Sequence, residues 1–177
     1  MATRACIAMP KGKSWVGVYS HWDGYPAGLG NVLWNLLERR YGFEAQRAWK
    51  ELILDNPNGW SSLNCFHGSW GDPELVLRWD GAYKITVDEE QRMRSASGDA
   101  CEAIKLPVSY QNDVSRSGEH KSPPLTPRNC GQSWVEYVYV IHPDRLEIWQ
   151  AGDSLDLLAQ CLYATGRPAA IFDKEAA

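Results

Sequence analysis

The stretch TRACIAMPKGKSWVGVYSH, Thr3 to His21, decides the fold. Two short runs rich in Ile, Val and aromatic residues flank Pro10-Lys11-Gly12-Lys13, and such runs around a glycine-bearing turn predict a β-hairpin. With Lys11-Gly12 as a two-residue loop, Ile7 faces Val16 and Ala5 faces Val18, so one face is apolar. Side chains alternate across a strand. If the strand stays extended to Asp23, then Trp15, Gly17, Tyr19, His21 and Asp23 share the other face, and Arg4 lies across from Tyr19.

An apolar sheet face needs a cover, and the chain supplies one next. After Pro26, Leu29, Val32, Leu33, Leu36 and Leu37 recur at helical spacing, with an exit near Tyr41-Gly42. A second helix carries Ala45, Ala48, Trp49, Leu52 and Ile53 on one face and stops before Asn56-Pro57-Asn58-Gly59. Residues 60–73 read as an irregular loop. Asp80-Gly81, between Leu75–Trp79 and Ala82–Val87, predicts a second hairpin. A helical turn is expected around Glu89–Arg94, and a polar, Pro-rich loop over about 107–133. Trp134–His142 and Arg145–Trp149 predict a third hairpin. Asp153-Ser154 then caps a third helix with the stripe Leu155, Leu158, Ala159, Leu162 and Tyr163. The expected fold is α+β: an antiparallel sheet built from hairpins, with about three amphipathic helices on one face, in a single domain spanning 1–177.

The composition of this 177-residue chain narrows the function classes. A net charge of −4 disfavours general nucleic-acid binding through phosphates. No apolar run approaches the length of about 18 residues that a membrane span needs, so no membrane partner is expected. The five cysteines are scattered and form no C-x-x-C pair, which points to reduced thiols and a cytoplasmic location. Nine tryptophans are expected mostly as core fillers, with one or two left to line a site for a flat ligand.

The candidate site follows the first hairpin, in YSHWDGYPAGLG, Tyr19–Gly30. Asp23 beside His21 can fix the imidazole tautomer and raise its basicity. Arg4 offers a planar fork for phosphate or carboxylate. Tyr19 and Tyr25 can donate hydrogen bonds, and Trp22 or Trp70 can stack on a ring. Gly28 and Gly30 open the backbone at a helix start, where free N–H groups favour an anion. A second cluster, Cys65, His67, Trp70 and Asp72, supplies another wall. His67 and Asp72 could join His21 and Asp23 as N/O metal ligands, but nothing in the spacing demands it, so no metal and no cofactor is expected. Cys65 reads as a buried, inert thiol, and His120 and His142 as ordinary. No P-loop, G-x-S-x-G or H-E-x-x-H motif is present.

The HWDGYP core, His21–Pro26, with ATRACIAM before it and Glu136-Tyr137-Val138-Tyr139 near the end, resembles a family of small uncharacterised proteins carried by phages and bacteria. The resemblance covers residues 2–40 and, loosely, 134–149. Members often carry Cys before the His, where this chain has Ser20. The resemblance implies a phage or mobile-element setting, with a host factor or a signalling nucleotide as partner. The leading expectation is an accessory protein that binds a small polar or anionic, nucleotide-like ligand at the first hairpin and first helix start. One alternative is a hydrolase with His21 as general base and Asp23 as its orienter. The other is a protein-interaction module that docks a host protein through Trp and Tyr side chains and the 107–133 loop.

Overall fold

The first hairpin forms, with its register moved by two residues. In the computed structural model, which describes residues 3–63, 85–97, 107–110 and 123–173, β1 (Ala5–Lys11) pairs antiparallel with β2 (Ser14–Ser20). Ile7 faces Val18, Cys6 faces Tyr19, and the loop is Gly12-Lys13 rather than Lys11-Gly12. Gly12 has φ +61°, the left-handed conformation that a tight hairpin loop asks of its first residue. A two-residue shift keeps the alternation. Ala5, Ile7 and Val18 still share the face beneath the helices, and Cys6, Ala8 and Trp15 the other.

The sheet is mixed, not purely antiparallel. Its order is β4-β5-β3-β2-β1-β6-β7-β8, with β3 (Trp60–Ser62), β4 (Ile85–Thr86), β5 (Val108–Ser109), β6 (Tyr137–Ile141), β7 (Arg145–Ala151) and β8 (Leu155–Leu162). The pairs β1–β6, β2–β3 and β4–β5 are parallel, and none of them is joined by a tight hairpin turn. Hairpin signals are local and do not report such pairings.

Three segments differ from their sequence reading. Trp60–Ser62 is a buried strand rather than a loop. Gly59 permits this: it has φ +82°, and a Cβ there would lie 2.2 Å from the Tyr19 carbonyl oxygen, so only glycine lets β3 come alongside β2. Val108–Ser109, inside the expected loop, is also a buried strand. Residues 155–162 form β8 rather than a helix. The leucines fit a helical stripe, but β7 offers an open backbone edge, and pairing with it overrides the periodicity. A bulge opposite Ile148 and Trp149 inserts Leu158, and Leu157, Leu158 and Leu162 stay exposed on this edge. Of the expected Asp80-Gly81 hairpin only Ile85, Thr86 and Val87 lie within the described residues; Ile85 and Thr86 pair with β5, and Val87 starts a helix instead.

The helices stand where the periodicity puts two of them. α1 covers residues 26–40, with π-type turns at Pro26–Gly30 and Leu36–Arg40 around an α-helical Asn31–Asn35. α2 covers residues 45–54. Leu29, Val32, Leu33, Leu36 and Leu37 are all buried, with Ala45, Ala48, Leu52 and Ile53 from α2 beside them. Trp60 Nε1 donates to the Leu52 carbonyl at 2.8 Å and Trp49 Nε1 to that of Ile141 at 2.8 Å, tying α2 to β3 and β6. α3 (Val87–Ser97) starts with a capping box: Glu89 N–H donates to Thr86 Oγ1 at 3.2 Å and Thr86 N–H to Glu89 Oε2 at 2.7 Å. α4 (Ala169–Phe172) closes the helical layer, with Phe172 against Trp34.

The opposite face of the sheet is not bare. Leu125, Cys130 and Val135 pack over Cys6, Ala8, Trp15, Val138 and Val140 as a second core, and Leu125 bridges to Gly17 by two backbone bonds of 2.9 Å. Among the described residues no helix is long and apolar enough to cross a membrane.

Candidate functional site

The end of β2 is held open by its neighbours. His21 N–H donates to the Trp60 carbonyl at 3.0 Å and Trp22 N–H to that of Ser61 at 3.1 Å, so strand pairing continues to Trp22. It stops at Asp23, whose φ of +56° is left-handed. Asp adopts that region more readily than most residues. Gly24 N–H then donates to the Thr3 carbonyl at 2.8 Å, and a Cβ on Gly24 would lie 2.7 Å from that of Ala5. The chain thus crosses directly over the start of β1 before α1 begins.

This geometry joins some of the expected residues and separates others. Tyr19 Oη and His21 Nδ1 are 2.7 Å apart, and the His21 ring meets Trp22 edge-on with centroids 4.7 Å apart. The shared face of Tyr19 and His21 is therefore real, but the hydrogen bond recorded for His21 Nδ1 is with Tyr19. The left-handed turn takes Asp23 off the strand's alternation. Burial raises the Asp23 carboxyl above the ordinary aspartate range. Burial and the nearby Asp23 charge raise Tyr25 in turn. Arg4 is fixed through its backbone: its N–H donates to Glu136 Oε1 at 3.2 Å, and its carbonyl accepts from Glu136 N–H at 2.9 Å. Glu136 reaches this spot through the parallel β1–β6 pairing, which no local sequence signal announces.

The start of α1 serves packing. Gly28, Leu29 and Gly30 are buried. A Cβ on Gly28 would lie 2.5 Å from the Asp23 carbonyl oxygen, and one on Gly30 would lie 3.1 Å from the Phe172 and Tyr139 rings. Leu29 N–H donates to the Asp23 carbonyl at 2.8 Å and Gly28 N–H to that of Tyr25 at 3.0 Å. Both amides are used by the turn, so the expectation that they cradle an anion gives way to a packing role. Tyr139 Oη adds a 2.6 Å bond to the Gly24 carbonyl from below. Behind this turn, Ser20 Oγ is buried with no hydrogen-bond partner among the described residues.

His67 and Trp70, with Cys65 and Asp72, lie outside the described residues. Among the described residues no group of three or more His, Cys, Asp or Glu side chains is placed to hold a metal. Cys6 and Cys161 are poor nucleophiles: burial raises both thiols, Cys161 to about 11.

Sequence reasoning passed over a second polar cluster at the other end of the hairpin. Arg145, Glu147 and Trp149 alternate along β7 and point away from the helices. Glu147 is only 6% exposed. Its Oε1 accepts from Arg145 Nε at 2.9 Å and Gln160 Nε2 at 3.2 Å, and its Oε2 from Trp149 Nε1 at 3.2 Å. His142 Nε2 lies 3.1 Å from Oε2, at ion-pair distance but without hydrogen-bond alignment. Burial pushes the Glu147 carboxyl up, but Arg145, His142 and Trp149 together bring it below the ordinary glutamate range. A cavity of about 330 Å³ lies between this cluster and the Pro10–Ser14 turn. The alternating Arg-x-Glu-x-Trp of residues 145–149 is the signal that could have found it. Comparison with protein-family models, with curated proteins and with solved structures finds no match for this chain.

Proposed function

We propose that the chain is an accessory protein that binds a small polar or anionic, nucleotide-like ligand where β1, β2 and α1 meet. The observation that carries this reading is the 2.7 Å Tyr19–His21 hydrogen bond, set beside a half-buried Asp23 carboxyl and an Arg4 whose backbone is clamped by Glu136. Rigidly held polar groups of mixed charge, next to an indole that is 41% exposed at Trp22, suit a ligand with a flat ring and an anionic group. Arg4 would take the anion, His21 and Asp23 would hydrogen-bond the ligand, and Trp22 would stack. Tyr25, whose hydroxyl stays protonated, adds a donor. The phage or mobile-element setting rests on the HWDGYP resemblance.

A hydrolase with Asp23 orienting His21 is less well supported, because Tyr19 holds His21 Nδ1. The interaction-module reading draws on Trp134, which is 75% exposed two residues before Glu136.

The test is a thermal-shift and calorimetric screen of the full chain against nucleoside mono-, di- and triphosphates and cyclic nucleotides. A binder is expected whose affinity falls at least about tenfold in Arg4→Ala and His21→Ala, with both variants still folded. No binder across the panel, or a binder that both folded variants keep, would overturn the reading.

A further inference from the structure

The cavity at the turn end of the hairpin is separate from the site proposed above and carries its own chemistry. It is lined by the half-buried Trp149, an edge of the buried Trp15, Pro10, Pro127 and Val140. At one end stand His142 and Glu147, and Lys13 sits at the mouth on the exposed hairpin loop. A volume of about 330 Å³ falls at the lower end of the range for small-molecule pockets.

The buried network explains which side chains remain for a ligand. Glu147 is saturated by Arg145, Gln160 and Trp149, and its charge is balanced by Arg145, so it does not call for a cation. What it does is aim its neighbours. It fixes the Trp149 indole by the Nε1 bond and faces His142 Nε2 at 3.1 Å. A carboxylate there favours the proton on Nε2, which leaves Nδ1 to accept from a ligand N–H. Nε2 itself is a buried atom without an aligned partner among the described residues. Burying an ion pair in a sheet is an expensive way to stabilise strands, and here it sets the two polar-edged rings that line the cavity.

We propose that this cavity binds a flat nitrogen heterocycle of nucleobase size, stacked against Trp149, read at its edge by His142, and held through a phosphate by Lys13. The Trp149 indole supplies a stacking face that tolerates any base. The single ring acceptor supplies the edge contact, and the exposed ammonium supplies a contact that only a phosphorylated ligand can use.

The experiment is an NMR titration of the indole N–H resonances of the full chain with adenosine, guanosine, cytidine and uridine 5′-monophosphates and the matching nucleosides. The Trp149 and Trp22 signals are assigned by Trp149→Phe and Trp22→Phe. The expected result is a saturable shift of the Trp149 signal with at least one monophosphate, unaffected by His21→Ala. Lys13→Ala, at an exposed loop position that the fold does not need, should weaken the monophosphate about fivefold and leave the nucleoside unchanged. His142→Gln should weaken both. A Trp149 signal that stays still up to about 10 mM ligand would overturn the proposal. So would binding that moves only Trp22 and disappears in His21→Ala, a result that would leave the hairpin-end site standing alone.

Discussion

Asp23 and Glu147 lie toward opposite ends of the first hairpin, and burial pushes both carboxyls in the same direction. They end on opposite sides of the ordinary range. Asp23 sits in a left-handed turn, and burial alone raises it. Glu147 is buried, and Arg145, His142 and Trp149 bring it down. The depth of burial does not set the sign; the number of partners does. A buried carboxyl that fills its lone pairs within the protein becomes a fixture that orients other groups. One left with few partners keeps its capacity for an incoming donor.

The largest expected effect comes from removing the fixture. Glu147→Ala leaves Arg145, Trp149 and Gln160 without their acceptor and should cost about 3 kcal/mol in urea denaturation. A loss below about 1 kcal/mol would mean that the network does not hold the outer strands. At the other end, Gly28→Ala drives a Cβ to 2.5 Å from the Asp23 carbonyl and should cost about 2 kcal/mol. Gly12→Ala meets open space and should lose only about 1 kcal/mol, from its positive φ. Equal losses at the two glycines would show that the Asp23 turn is not tightly packed. Ser20→Ala should raise stability by about 1 kcal/mol, because it removes a buried hydroxyl that has no partner among the described residues.

The pH dependence should differ in sign between the two ends. Glu147 is lowered on folding, so its stabilisation is complete above its unfolded value and is lost as pH falls through the folded one. Asp23 is raised, so its ionisation costs stability above the folded value, and the cost disappears below the unfolded one. Glu147→Gln should flatten the acid limb of the stability curve. Asp23→Asn should remove the small decline as pH rises through the Asp23 transition, and Asn tolerates the same left-handed backbone.

Much of this was legible from residue order. The Leu29-to-Leu37 stripe, the α2 face and the shared face of Tyr19 and His21 follow from periods of 3.6 and 2, and the structure keeps all three. The hairpin register slipped by two residues because the turn's demand for a left-handed glycine, not the hydrophobic pattern, chooses the loop. β8 was misread because Leu155, Leu158 and Leu162 satisfy a helical stripe as well as a strand, and only the open edge of β7 decides between them. Gly28 and Gly30 looked like room for a ligand, but the space belongs to Asp23, Phe172 and Tyr139. Glu136 depends on the β1–β6 pairing, which leaves no mark in a local window, whereas the Glu147 cluster is marked by the alternation of Arg145, Glu147 and Trp149.

The contrast between the two carboxyls can be measured directly. An NMR titration of side-chain carboxyl carbons should find Asp23 above the ordinary aspartate value of about 3.9 and Glu147 below the ordinary glutamate value of about 4.3. Ordinary values at both positions, or the reverse order, would contradict the account of one end as partnered and the other as open to a ligand.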